Sequence, residues 1–160
     1  MLVPFESLDA NSKIWIYQSD RKLQQNELDF VRKNTEAFLT EWTAHGQNLQ
    51  AGMQIFHEQF IVIGVNEAVN QASGCSIDKS VHFMQQLGNA LKLDLLQRSK
   101  IAVKNENEIR VIEFSEVKEA INSGVISKAS TVFNNAVVAK QDLDTQWAQP
   151  AQESWLKRYF

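Results

Sequence analysis

The chain has one cysteine, Cys75, among 160 residues. It can form no intrachain disulfide and no cysteine-rich zinc site, and a reducing compartment is the simpler expectation. Long hydrophobic runs are also missing. The longest, Phe60 to Val65, is broken by Gly64 and falls far short of the roughly 20 residues that a membrane-crossing helix needs, so no membrane span is expected. Positive charge is not in surplus: 16 basic against 19 acidic side chains give a net charge of −3. That balance supplies no basic face for a phosphate backbone, and no nucleic-acid partner is expected. Met1-Leu2-Val3-Pro4-Phe5-Glu6 lacks the basic-then-apolar order of a signal peptide, and the expected location is cytoplasmic.

Several chemical motifs are absent as well. No Gly-Lys pair occurs anywhere, which excludes a P-loop. There is no Gly-x-Gly-x-x-Gly for a dinucleotide, no Gly-x-Ser-x-Gly elbow, and no His-Glu-x-x-His helix, since His57-Glu58 starts that motif and stops. The sequence therefore implies no cofactor and no metal.

What is present describes a folded chain. An apolar fraction of 44% is too high for disorder, and the length suits one domain over residues 1–160, with 141–160 as a C-terminal tail packed on the body. Ile14-Trp15-Ile16-Tyr17 is β-branched and aromatic and reads as a strand ending near Gln18. Leu28, Val31, Phe38, Leu39 and Trp42 recur at three and four, which predicts a helix from Gln24 to Ala44 closed by Gly46. Leu49 to Phe56 and Phe60 to Val65 read as a hairpin around His57-Glu58-Gln59. A second helix is expected to run to about Leu93, capped by Ser76 or Asp78, with Ile77, Val81, Met84, Gly88 and Leu91 inward. Lys100 to Lys104 and Glu108 to Phe114 form a second hairpin, Ser115 opens a short helix closed by Gly124, and a last strand, Thr131 to Val138, is expected to carry a kink or a turn at Asn134-Asn135. Ser154 to Phe160 reads as a helical turn docked by aromatics, with Trp147 and Trp155 pinning the tail, the alternative being that these aromatics beside Lys157 and Arg158 form an interface hot spot or stack on bases. The order strand, helix, strand, strand, helix, strand predicts an α+β fold, a ferredoxin-like α/β sandwich with one antiparallel sheet and helices on one face. An extra C-terminal strand, helix and strand would extend that sheet or pack beside it, followed by an aromatic tail.

The segment with most chemical interest is Ser73-Gly74-Cys75-Ser76-Ile77-Asp78, where a loop enters the second helix. A helix N-terminus exposes unpaired amides and a partial positive charge, so Ser73, Gly74, Cys75, Ser76 and Asp78 are candidate ligand-binding residues for an anion or small molecule. The same field lowers a thiol pKa, which makes Cys75 the candidate catalytic nucleophile. Against this, Ser-Gly before Ser-Ile-Asp is also an ordinary turn and cap, and an isolated cysteine is most often a small buried residue. His82 lies seven residues from Cys75, about 10.5 Å along a helix, too far to act as its base. Asp78 and His82 share a helix face, yet two ligands do not make a metal site.

Trp15-Ile16-Tyr17-Gln18, Ala44-His45-Gly46, Ala72 to Asp78, Val132-Phe133-Asn134-Asn135 and Ser154-Trp155-Leu156-Lys157-Arg158 together span nearly the whole chain. Through them it resembles a family of small proteins from Bacteroidetes-type bacteria that carry the label "ABC transporter ATPase". The residues do not support the label. An ABC nucleotide-binding domain needs Walker motifs and considerably more chain, and Ser73-Gly74 only faintly echoes its signature loop. The expectation is a non-catalytic binding or protein-interaction domain, with an unknown protein or a second copy of the chain as partner. A small-molecule, anion or thiol-based site at Ser73 to Asp78 is the alternative.

Overall fold

A computed structural model describes residues 1–160, a mixed α and β fold with three antiparallel sheets. The chain divides into two compact units. Met1–Leu96 with Val138–Gln141 forms the first, and Gln97–Val137 with Asp142–Phe160 forms the second. No helix is long and apolar enough to cross a membrane.

The first unit is built on a sheet of order β1-β5-β4, from β1 (Lys13–Gln18), β4 (Ala51–Phe56) and β5 (Phe60–Val65). Residues in register across it alternate between its two faces. Tyr17, Met53, Ile61, Ile63 and Val65 belong to the main core with Leu28, Val31 and Leu39 of α1 (Gln25–Glu41) and Met84, Leu87 and Leu91 of α2 (Gly74–Leu91). On the opposite face Gly52 pairs with Gly64. A Cβ on Gly52 would come within 2.6 Å of the Val3 carbonyl oxygen, and one on Gly64 within 2.8 Å of Leu8 Cδ1. This pair of glycines is the flat place on which the Val3–Leu8 segment lies.

The first helix stops at Glu41, three residues before the predicted end. Trp42 is already extended, and Thr43–Ala44 (β2) pairs with Gln47–Asn48 (β3) in a small hairpin. The Asn70 amide holds that hairpin by donating to the Gln47 carbonyl at 3.1 Å. In the β4–β5 turn, the Gln59 amide donates to the Phe56 carbonyl, with His57 and Glu58 both at a φ of 54°. That is the left-handed geometry which matches strand twist in a tight hairpin.

At the start of α1 the Arg21 guanidinium makes two bonds to Glu27, of 2.8 and 2.7 Å, and Glu27 also accepts the Gln24 amide at 2.9 Å. The Arg21 bond first, and the Gln24 amide second, pull the Glu27 carboxyl down to about 2. A carboxyl held below its ordinary value stabilises the fold above that ordinary value and loses the contribution as pH falls through the folded one. The stability gap between wild type and Glu27→Gln is therefore expected at pH 7 and should shrink between pH 5 and pH 2, as followed by thermal unfolding.

Deeper in α1, Thr35 is fully buried and its hydroxyl has no hydrogen-bond partner. Leaving a buried hydroxyl unpaired costs free energy that an apolar group of the same shape does not. Thr35→Val is expected to stabilise the protein by about 1 kcal/mol, raising the urea midpoint without changing the slope.

The second unit carries the sheet β7-β6-β8-β9, from β6 (Lys100–Asn105), β7 (Glu108–Glu113), β8 (Thr131–Phe133) and β9 (Ala148–Pro150), with α3 (Val117–Asn122). Here the expected single sheet is corrected. The strand after α2 pairs with β7 and β8 instead of extending the β1-β5-β4 sheet. Its core residues Ile101 and Val103 pack with Val117, Ala120, Ile126 and Leu156 in a separate apolar cluster, which gives β6 a different burial to satisfy. Of the kink or turn expected in the last strand the structure has the turn, in which the Val137 amide donates to the Asn134 carbonyl at 3.4 Å. β8 ends at Phe133, and Val137 and Val138 lie outside it.

The terminal segment contributes β9, paired with β8 from Phe133↔Ala148 to Thr131↔Pro150. Trp147 is buried there, its indole donating to Asn135 Oδ1 at 2.9 Å and its ring 5.0 Å from Phe133. Trp155 does not pin the tail. It is 43% exposed, and the fully buried residue beside it is Leu156.

Candidate functional site

The Ser73 to Asp78 segment does stand at the start of α2, and the cap is Ser73 rather than Ser76 or Asp78. Ser73 Oγ accepts the Ser76 amide at 3.1 Å, and Ser76 Oγ accepts the Ser73 amide at 2.6 Å, a reciprocal capping box. The Ser73 carbonyl accepts the Ile77 amide at 2.9 Å. Two of the four amides that an open helix terminus would offer to an anion, those of Ser73 and Ser76, are therefore bound within the chain. Ser76 is buried, and its carbonyl accepts the Trp42 indole at 2.8 Å, which fixes the first turn of α2 against the end of α1.

Gly74 is exposed, and a Cβ added there would meet nothing within 4 Å, so no contact of the protein demands a glycine. Cys75 is a free, exposed thiol, not a buried apolar filler. Asp78 is exposed on the next turn, and so is His82. His45 sits in the β2–β3 turn at a φ of 53° and His57 in the β4–β5 turn, and no hydrogen bond joins any histidine to Cys75. No three His, Cys, Asp or Glu side chains come together as a metal centre would need. Five neighbouring residues at one helix start are thus placed together, but the structure adds no base to the thiol.

Of the residues predicted to face inward from α2, Met84, Gly88 and Leu91 do, whereas Val81 is 39% exposed. Ser76 and Ser80 take inward positions instead, and Ser80 Oγ donates to the Ile77 carbonyl at 2.6 Å. Two open grooves lie elsewhere. One of about 390 Å³ runs along the end of α2 between Gln85 and Leu96, and one of about 550 Å³ lies between the N-terminal segment, α1 and β4.

The exposed apolar surface of the second unit holds a pairing that the sequence did not show, of Trp155 with Phe114. Phe114 is 49% and Trp155 43% exposed, and their rings meet edge to face at 5.7 Å and 74°. Phe114 had the pattern of a strand end, and nothing local distinguishes it from the apolar residues before it. Trp155 lies in the short turn Trp155–Tyr159, which Ser154 caps by accepting the Leu156 amide at 3.1 Å. Lys157 and Arg158 follow, with the Arg158 guanidinium 4.9 Å from the centre of the Tyr159 ring. Comparison of the chain with protein-family models, with curated proteins and with solved structures returns no match.

Proposed function

We propose that this protein is a non-catalytic interaction module that docks a protein partner on the Phe114–Trp155 pair of its second unit. The observation that carries the reading is two large aromatic side chains touching one another while each remains nearly half exposed. An edge-to-face pair is already rigid, so little side-chain entropy remains to be lost on binding, and tryptophan beside arginine is enriched among interface hot spots. The test is a photo-crosslinking residue at the exposed position 157, which leaves both aromatics in place, in cells, with position 128 as a control, followed by reconstitution from purified components. Trp155→Ala and Phe114→Ala should each weaken the reconstituted complex by about 2 kcal/mol, roughly thirtyfold. Crosslinks no different from the control, or a complex indifferent to both substitutions, would sink the proposal.

The exposure of Cys75 and Asp78 on the first turns of α2 supports a second reading, a small-molecule, anion or thiol-based site at that loop. It requires Cys75 in the folded protein to alkylate faster than free cysteine at neutral pH; a rate at or below that of free cysteine removes the thiol version. The anion version requires phosphate, sulfate or a nucleotide to raise the melting temperature.

Two finer readings belong to the same proposal. The order β1-β5-β4 with α1 and α2 over one face supports the first unit as a ferredoxin-like sandwich without its fourth strand. The free exposed thiol supports a cytoplasmic setting.

A further inference from the structure

Independently of the aromatic pair, the first unit carries an unfinished sheet edge. β4 is bonded to β5 on one side only. On its other side the Ala51 amide donates to the Met1 carbonyl at 3.1 Å, and the Ala51 carbonyl accepts the Val3 amide at 2.9 Å. The covering segment then leaves the edge, because Pro4 has no N–H to continue the ladder and begins the turn Phe5–Ser7. Backbone groups alternate along an antiparallel strand, so those of Met53 and Ile55 point the same way as those of Ala51, away from β5.

The 550 Å³ groove runs beside this open stretch. Leu2, Val3, Phe5 and Met53 form its apolar wall, and Arg32 and Glu36 of α1 stand over it. Neither of these two charges has an ion-pair partner within the chain. They are one helical turn apart on one face, one of each sign.

We propose that the β4 edge pairs with the β4 edge of a second copy of the chain, antiparallel about a twofold axis through Gln54. Met53 of each copy then lies opposite the partner's Ile55, and the four outward groups of each strand are satisfied. Two features of the edge fit this occupant. The first is charge. A twofold interface must be complementary to itself, and antiparallel α1 helices across the axis bring each Arg32 to the partner's Glu36. The second is length. With Met53 opposite the partner's Ile55, Ala51 stands opposite the partner's His57, where β4 turns back into its own hairpin. The incoming strand thus ends where the Met1–Val3 segment already occupies the edge.

The experiment uses the full chain. Wild type should sediment as a dimer at about 100 µM, Arg32→Glu should weaken the dimer at least tenfold by setting two carboxylates against each other, and Arg32→Glu with Glu36→Arg should restore it. Arg32 is exposed and Glu36 half-buried, neither with a partner, and circular dichroism is the check that each variant is folded. In a Cys75→Ser background, Gln54→Cys should form a disulfide dimer on mild oxidation, and Gln47→Cys on the small hairpin should not. A monomer at that concentration overturns the proposal and leaves the edge to an extended peptide of another protein. A dimer indifferent to Arg32→Glu, with Gln54→Cys crosslinking no faster than Gln47→Cys, overturns it by moving the contact to another surface.

Discussion

Trp42→Ala is expected to destabilise the first unit by about 4 kcal/mol, the range for removing a large aromatic from a packed core. Trp42 is 2% exposed and joins three elements. Its ring lies 6.1 Å from Trp15 of β1 and 5.5 Å from Phe38 of α1, and Phe38 stacks in turn on Phe83 of α2 at 4.6 Å. Its indole N–H is bonded to the Ser76 carbonyl. Alanine therefore leaves a cavity, strips one aromatic from a row of four and frees the first turn of α2. Trp42→Phe separates these effects. It keeps most of the packing and loses the bond, so about 1–2 kcal/mol is expected. Urea denaturation measures both, and amide exchange at Ile77 should quicken in each variant, since its donor–acceptor pair lies in the released turn. A loss below about 1 kcal/mol for alanine would mean that the row of rings does not hold the helices.

In the second unit a large effect is expected at Leu156. Leu156→Ala should cost about 3 kcal/mol, and Trp155→Ala, next to it, at most about 1. The difference follows from burial. Leu156 is fully buried in the cluster of Ile101, Val103, Ile126 and Ala151, whereas Trp155 touches Phe114 with much of its ring in water. For a chain of this length the leucine change corresponds to a fall in melting temperature of roughly 10 °C. On the docking proposal, stability and partner binding are carried by adjacent residues. Equal destabilisation by the two alanine changes would place Trp155 among the structural anchors and remove the basis of the docking proposal.

The elements that were legible in the sequence are those that local periodicity controls. The spacing of Leu28, Val31 and Leu39 marked α1, and the runs on either side of His57-Glu58-Gln59 marked the β4–β5 hairpin. The β6–β7 hairpin was equally plain, with the turn at Glu106 and Asn107. What escaped is decided by distant partners. β2 and β3 have two residues each and depend on Asn70, more than 20 positions away. β9 is Ala-Gln-Pro, which has no strand preference of its own and is strand only because β8 lies beside it. Nothing in residues 92–99 signals that β6 joins a different sheet. The tail misled through weight of aromatics: Trp155 is larger than Leu156, but the turn capped by Ser154 points the leucine inward. At the loop before α2 the position of the candidate residues was legible, and the use of the Ser73 and Ser76 hydroxyls on one another was not, because Ser-x-x-Ser is a less familiar box than Ser-x-x-Glu.

The tryptophans are divided evenly, Trp15 and Trp42 in the first unit, Trp147 and Trp155 in the second. Within each pair one ring is shielded and the other is more open to water. The molecule therefore carries its own set of optical reporters. Emission from Trp42 or Trp147 alone follows the loosening of one unit, and acrylamide quenching of Trp155 follows the surface on which a partner would sit. Variants that keep a single tryptophan turn these into four separate channels, so folding of either unit and occupancy of the aromatic pair can be watched without attaching a dye.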